Sequence, residues 1–135
     1  MPSVLLVDPE PSVILTLRMI LERDGYLVNT ATSYVAAAAL LQKESWDMLI
    51  TELDLEAEEL GLRLAREAKG MKLRPAVFVY VSYPDVERLR AALALRVDYV
   101  GFKPLEVEEI RNVVRLLLAR HSASRHDGWQ VSKHG

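Results

Sequence analysis

The sequence predicts an α/β fold, a doubly wound parallel sheet with helices on both faces. Three observations predict it. Five short β-branched or aliphatic runs alternate with helical patterns along the 135 residues. The runs begin 23, 21, 29 and 22 positions apart, which leaves room for one crossover helix between each pair. The runs are continuously apolar, as strands buried on both faces are, and do not alternate with polar residues. Right-handed crossovers leave few topologies for such a chain.

The elements follow in order. SVLLVD (3–8) leads into a helical pattern from about Ser12 to Asp24, with Val13, Leu17, Ile20 and Leu21 on one face and a stop at Gly25. YLVNTA (26–31) precedes SYVAAAALLQKE, whose N-cap is Thr32 or Ser33. DMLIT (47–51) runs into five acids, Glu52, Asp54, Glu56, Glu58 and Glu59, within which the third helix is expected to begin. Acids there would face the positive end of the helix dipole. Leu60, Leu64 and Ala68 form that helix's apolar face and Gly70 its end. AVFVYV (76–81) precedes a fourth helix after Pro84, a good first-turn residue, with Val86, Leu89 and Leu93 as its apolar face. DYVGF (98–102) precedes a fifth, from about Glu106 to Arg120, with Val107, Ile110, Val114 and Leu117 at helical spacing. Beyond it the apolar spacing stops. One domain over residues 1–121 is expected, with 122–135 a flexible tail or the start of a linker. His121, His126 and His134 are expected to be solvated there, and Trp129 is either a docking residue or incidental.

Composition removes several classes of function. Half the residues are hydrophobic, so the chain can bury a core. A net charge of −2 and the lack of a basic stripe argue against nucleic-acid binding by this domain. There is no cysteine, which excludes disulfides, thiolate catalysis and cysteine metal sites. The first apolar run is four residues long without a basic flank, so neither a signal peptide nor a membrane span is expected. A cytoplasmic protein is the expectation.

In an open parallel α/β sheet, ligands bind outside the carboxyl ends of the strands. The first run ends at Asp8, with Pro9 and Glu10 behind it; the third ends at Glu52, with Asp54 two residues on. The fourth ends near Tyr80, Val81 and Ser82, and the fifth at Lys103-Pro104. Charged residues often terminate strands simply where the chain reaches water. Four such ends on one edge of a sheet suggest a site.

VLLVDPEP, WDMLITELDL and VDYVGFKPLEVEEI together resemble the receiver domain of two-component response regulators, over about residues 2–120. The resemblance implies a flavodoxin-like (CheY-like) fold with strand order 2-1-3-4-5 and five helices. It implies Mg²⁺-dependent transfer of a phosphoryl group from a His kinase to an Asp on the third strand. It also implies a hydroxyl at the end of the fourth strand, the Lys at the end of the fifth, and a cis bond before Pro104. The acceptor position, five residues after Asp47, falls on Glu52. The acidic pair after the first strand is Asp8-Pro9, so one carboxylate is missing. Three ways of counting place the hydroxyl at Ser82, Tyr80 or Val81, and Ser82, the only small hydroxyl, is preferred. The usual aromatic position three before Lys103 is Val100, with Tyr99 and Phe102 beside it.

These departures carry physical expectations. Mg²⁺ requires near-octahedral oxygen ligands. Pro9 offers none, and the extra methylene of Glu52 carries its carboxylate about 1.5 Å further, one carbon–carbon bond. Asp8 and Glu52 are the only metal candidates, and Mg²⁺ binding is expected to be weak. Glu52 either imitates a phosphoryl charge, paired with Lys103, or is a remnant. The expected function is an atypical receiver working by contact with a protein partner: a His kinase, an output domain or another regulator. A homodimer through the face of helix 4, strand 5 and helix 5 is a further expectation, with Arg88, Arg90, Tyr99, Arg111 and Arg115 on that face. A working acceptor at Asp54 or Asp8 is the alternative. A small hydrolase-like enzyme with Asp8 as nucleophile ranks below it, because Pro9 leaves only Glu10 as general acid.

Overall fold

The computed structural model describes every residue but Pro84 and Gly135, and every side chain but those of Pro84 and residues 126–135. Ten elements alternate along the chain: β1 (Ser3–Val7), α1 (Pro11–Arg23), β2 (Leu27–Ala31), α2 (Tyr34–Lys43), β3 (Met48–Glu52), α3 (Leu60–Lys69), β4 (Ala76–Val81), α4 (Val86–Ala94), β5 (Tyr99–Phe102) and α5 (Val107–His134). All strand pairs are parallel and the order is β2-β1-β3-β4-β5. This is the flavodoxin-like architecture.

The period-two geometry of a strand divides the apolar runs between two layers. Val4, Leu6, Met48, Ile50, Phe78 and Tyr80 face α1 and α5, where they meet Ile14, Leu17, Leu21, Ile110 and Val114. Leu5, Val7, Leu49, Val77 and Val79 face α2 and α3, where they meet Leu41, Leu64, Ala65 and Ala68. The inner strands β3 and β4 are buried at every residue. The edge strand β2 is less buried: Val28 joins the α1–α5 layer and Ala31 the α2–α3 layer, while Leu27 and Asn29 are exposed. Trp46, fully buried, donates its indole N–H to the Leu40 carbonyl at 3.0 Å. Next to it, Asp47 Oδ2 accepts the Ser3 N–H at 2.8 Å, which binds the starts of β1 and β3 together.

Helix ends follow local chemistry. Pro11 opens α1, and Gly25 at φ +94° lies beyond its end. Ser33 caps α2 by accepting from the Ala36 N–H, and Asp85 caps α4 by accepting from the Arg88 N–H. Pro84, expected in the first turn of α4, lies outside the described residues.

Three expectations need correction. The acidic run does not open α3: the helix begins at Leu60, and Glu59 is its N-cap at φ +64° with no side-chain cap. The reason lies at Gly61, whose N–H donates to the Leu53 carbonyl at 2.8 Å. A Cβ there would sit 1.9 Å from the Glu52 carbonyl oxygen, so only glycine lets the helix start so close to β3. The apolar face assigned to α4 is also turned outward: Val86, Leu89 and Leu93 are exposed, and Ala92 is the helix's buried residue. The helix turns its small residue inward and leaves its larger side chains outside. Finally, α5 does not stop near Arg120 but runs to His134. The continuation is held from beneath: Arg125 donates to Asp47 Oδ1 and to the Trp46 and Arg74 carbonyls, and His121 Nε2 lies 2.8 Å from the Arg74 carbonyl. The side chains of His126, Trp129 and His134 lie outside the described residues.

Candidate functional site

The carboxyl ends of β1, β3, β4 and β5 place Asp8, Glu52, Ser82 and Lys103 along one edge of the sheet. Asp8 is fully buried. Its Oδ1 accepts the Glu10 N–H at 2.8 Å, and its Oδ2 accepts the Tyr80 hydroxyl at 2.6 Å. Lys103 Nζ is 3.2 Å from that same Oδ2 and 5.5 Å from the centre of the Tyr80 ring. Glu52 is 3% exposed. Its Oε1 accepts the Ser82 hydroxyl at 3.0 Å and its Oε2 accepts the Leu53 N–H at 2.9 Å. Each of the four carboxylate oxygens therefore accepts from a donor of the protein itself.

The pairing differs from a direct Glu52–Lys103 bridge. Lys103 makes its close contact with Asp8, while Glu52 takes a hydroxyl and a backbone amide. Burial pushes the Glu52 carboxyl above the usual glutamate range; the Ser82 hydrogen bond, the Lys103 charge and the Leu53 amide pull it back, and the Asp8 charge adds to the rise. Burial, followed by the Asp8 charge and hydrogen bond, holds the Tyr80 phenol well above its ordinary value, so it remains a neutral donor.

Tyr80 is the residue that sequence reasoning set aside. It is directly opposite Glu52 in the β3–β4 register and is fully buried. Counting from Pro75 could have found it; the preference for a small hydroxyl passed over it. Both hydroxyls contribute, Ser82 to Glu52 and Tyr80 to Asp8.

The other candidates are elsewhere. Glu10 is exposed and lines a cleft of about 510 Å³ with Val13, Thr16, Lys103, Pro104 and Leu105. The Lys103-Pro104 bond is cis. Asp54 turns away from Asp8: its Oδ1 accepts the Glu59 N–H, and its Oδ2 lies 3.1 Å from Arg88 Nε. Arg88 also reaches Asp85 at 2.6 Å, so it clamps α4 to the β3–α3 loop. Arg90 is exposed on α4. Tyr99 is half-buried, edge-on to Phe78, with its hydroxyl donating to Glu109. Arg111 pairs with Asp24 and Glu108, and Arg115 with Asn112; both line a cleft with Tyr26 on the α1 side of α5. Exposed Val86, Leu89, Leu93 and Phe102 join α4 to the end of β5 in an apolar strip.

The buried acids of this site are Asp8 and Glu52. The family's usual second acid is Pro9 here, and the oxygens of Asp8 and Glu52 are already engaged. Among the described residues no three acidic or histidine side chains gather around a common point.

Five parallel strands in this order, with acid, hydroxyl and Lys at their carboxyl ends, define a receiver-type signalling fold. The chain belongs to the response regulator receiver domain family, which it matches over residues 4–115. It is 33% identical over 109 residues to the alginate biosynthesis transcriptional regulatory protein AlgB of Pseudomonas aeruginosa, a match covering 80% of this chain and 24% of AlgB. It is 26% identical over 124 residues to the transcriptional regulatory protein ResD of Bacillus subtilis, covering 92% of this chain and 51% of ResD. The chain thus spans between a quarter and a half of these relatives. The crystal structure of a CheY-like receiver domain protein from Methanospirillum hungatei matches with a TM-score of 0.87 at 19% identity, over 92% of this chain and 98% of that one, a likeness of fold. No described helix is long and apolar enough to cross a membrane.

Proposed function

We propose that the chain is an atypical receiver that signals by protein–protein contact with little or no Mg²⁺-dependent phosphorylation, as a cytoplasmic signalling module and not an enzyme. The observation that carries this reading is the identity and hydrogen bonding of the residue at the acceptor position. The residue at the acceptor position is Glu52, and both its oxygens are held by Ser82 and Leu53. Phosphoryl transfer depends on a positioned nucleophile and a cation that neutralises the oxygens. Here a Glu held by two hydrogen bonds stands at the acceptor position, and Pro9 offers no side-chain ligand. Asp54, the alternative acceptor, is bound to Arg88 outside the pocket, which leaves it without Lys103 or a hydroxyl beside it.

The partner is a protein: a His kinase, an output domain or another regulator. The face of α4 and β5 suits such a contact, since Val86, Leu89, Leu93 and Phe102 are exposed beside Arg90. A homodimer through that face is the self-associating form of the same reading. Nucleic-acid contact is not assigned to this domain.

The test is incubation with Mg²⁺ and a small-molecule phosphodonor, read by intact mass. The expected result is no phosphoryl adduct. An adduct on the natural protein overturns the reading, and mapping it to Asp54 or Asp8 identifies the working acceptor.

A further inference from the structure

We infer that Tyr80 is the residue that closes this pocket to a divalent cation, so that restoring the missing carboxylate at position 9 and shortening Glu52 does not suffice to bring a metal in. The inference deepens the proposed loss of metal-dependent chemistry and rests on it.

One oxygen is decisive. Any cation drawn to this edge of the sheet must use Asp8, the fully buried carboxylate at its centre. Asp8 Oδ2 already holds two partners, the Tyr80 hydroxyl at 2.6 Å and the Lys103 ammonium at 3.2 Å. Mg²⁺ sits about 2.0–2.1 Å from its oxygen ligands and keeps several waters, so it needs that space cleared. The two occupants differ in how easily they leave. Lys103 is partly exposed, with its side chain at 19%, and its flexible stem can swing into water. Tyr80 cannot. Its backbone is in the middle of the sheet, paired with Glu52 on one side and Gly101 on the other. Its ring is fully buried and meets Phe78 edge-on at 6.5 Å.

Displacing the hydroxyl would leave a buried donor without an acceptor, a costly state. Tyr80 acts through Asp8 as a positioning residue: it fixes the carboxylate and fills the place where the ion's coordination sphere would stand. Lys103 supplies the positive charge that the site otherwise lacks.

The experiment compares Mn²⁺ binding, by electron paramagnetic resonance, to the natural full chain, to the double variant Pro9→Asp/Glu52→Asp, and to a triple variant that adds Tyr80→Thr. The triple variant is expected to bind at least about tenfold more tightly than the double variant, the scale on which a residue supporting a ligand alters metal affinity. Equal affinity in the two variants overturns the inference, as does a folded triple variant that binds no Mn²⁺.

A second measurement needs no substitution that hollows the core. The Tyr80 hydroxyl proton, assigned by its loss in Tyr80→Phe, is followed by NMR while the natural protein is titrated with MgCl₂. It is expected to persist unshifted, and its disappearance at low millimolar Mg²⁺ would overturn the inference. A phosphoryl adduct on the natural protein would sink the proposed function. Equal Mn²⁺ affinity of the two variants would remove only the role of Tyr80.

Discussion

The pocket and the outer face of α4 are about as far apart in character as two regions of one small domain can be. In the pocket, charge is buried and every carboxylate oxygen has a partner. On α4, apolar side chains that the helical spacing marks as core stand in solvent. A hydrogen-bonded network in a buried site resists change, because each member leaves another stranded if it moves. An exposed apolar strip has no such commitment and gains by being covered. The contrast sets an uncovered apolar surface against a hydrogen-bonded, charged centre.

The largest blow to the rigid side is Tyr80→Ala, which deletes a buried ring and the Asp8 hydrogen bond together. We expect a loss of about 3–5 kcal/mol in urea unfolding. A loss under about 1 kcal/mol would mean that the pocket is far looser than its contacts imply. Gly61→Ala comes next, at about 3 kcal/mol, since the added methyl meets the Glu52 and Leu53 carbonyls that end β3. Wild-type stability there would show that α3 can start elsewhere.

Arg88→Ala sharpens the comparison, because Arg88 lies between the two regions and ties α4 to Asp54. Its expected cost in stability is small, as for a surface ion pair, together with faster amide exchange in residues 54–59. Unchanged exchange would show that the clamp does not order the loop.

A pH effect is smaller. Burial holds the Glu52 carboxyl above the glutamate range, so between its unfolded and folded values the native state keeps a proton that the unfolded chain has released. Stability contributed by Glu52 therefore falls as pH rises through that window, above about pH 4.3, and the deficit stays constant beyond it. Glu52→Gln is expected to flatten this part of the stability–pH curve. An unchanged slope would mean that Glu52 ionises in the folded protein as it does in water. Leu89→Ser is the mildest, within about 0.5 kcal/mol of wild type in stability. Its expected effect appears only in association, as weaker binding to whatever covers α4. Sedimentation across a concentration series detects the homodimer form, and a wild-type profile in the variant would exclude Leu89 from that contact.

Much of this was legible in the residues. The five strands and their order follow from apolar runs with single-helix spacing and from motif resemblance, and Asp8, Glu52, Ser82 and Lys103 from strand ends meeting at one edge. The failures have physical causes. Apolar periodicity in α4 reports an amphipathic helix without saying which face is inside, and here small Ala92 is the packed one. The start of α3 depends on a backbone approach at Gly61 that leaves no mark in side-chain pattern. The end of α5 depends on Arg125 meeting Asp47 across 78 positions of sequence, beyond the reach of any local count. Tyr80 was one of three counted positions, and its bond to Asp8 across 72 positions of sequence is beyond the reach of any local count.

The hydroxyl that Tyr80 gives to Asp8 also shapes the paths open to this sequence under mutation. Contacting residues do not contribute independently, so a change at one is felt through the others. A smaller residue at position 80 hollows the core before it frees a ligand, and a second carboxylate at position 9 adds charge beside an acid already neutralised by Lys103. Each step is a loss if taken alone. The contact that steadies Asp8 thus couples any change at position 80 to the packing of three neighbouring strands.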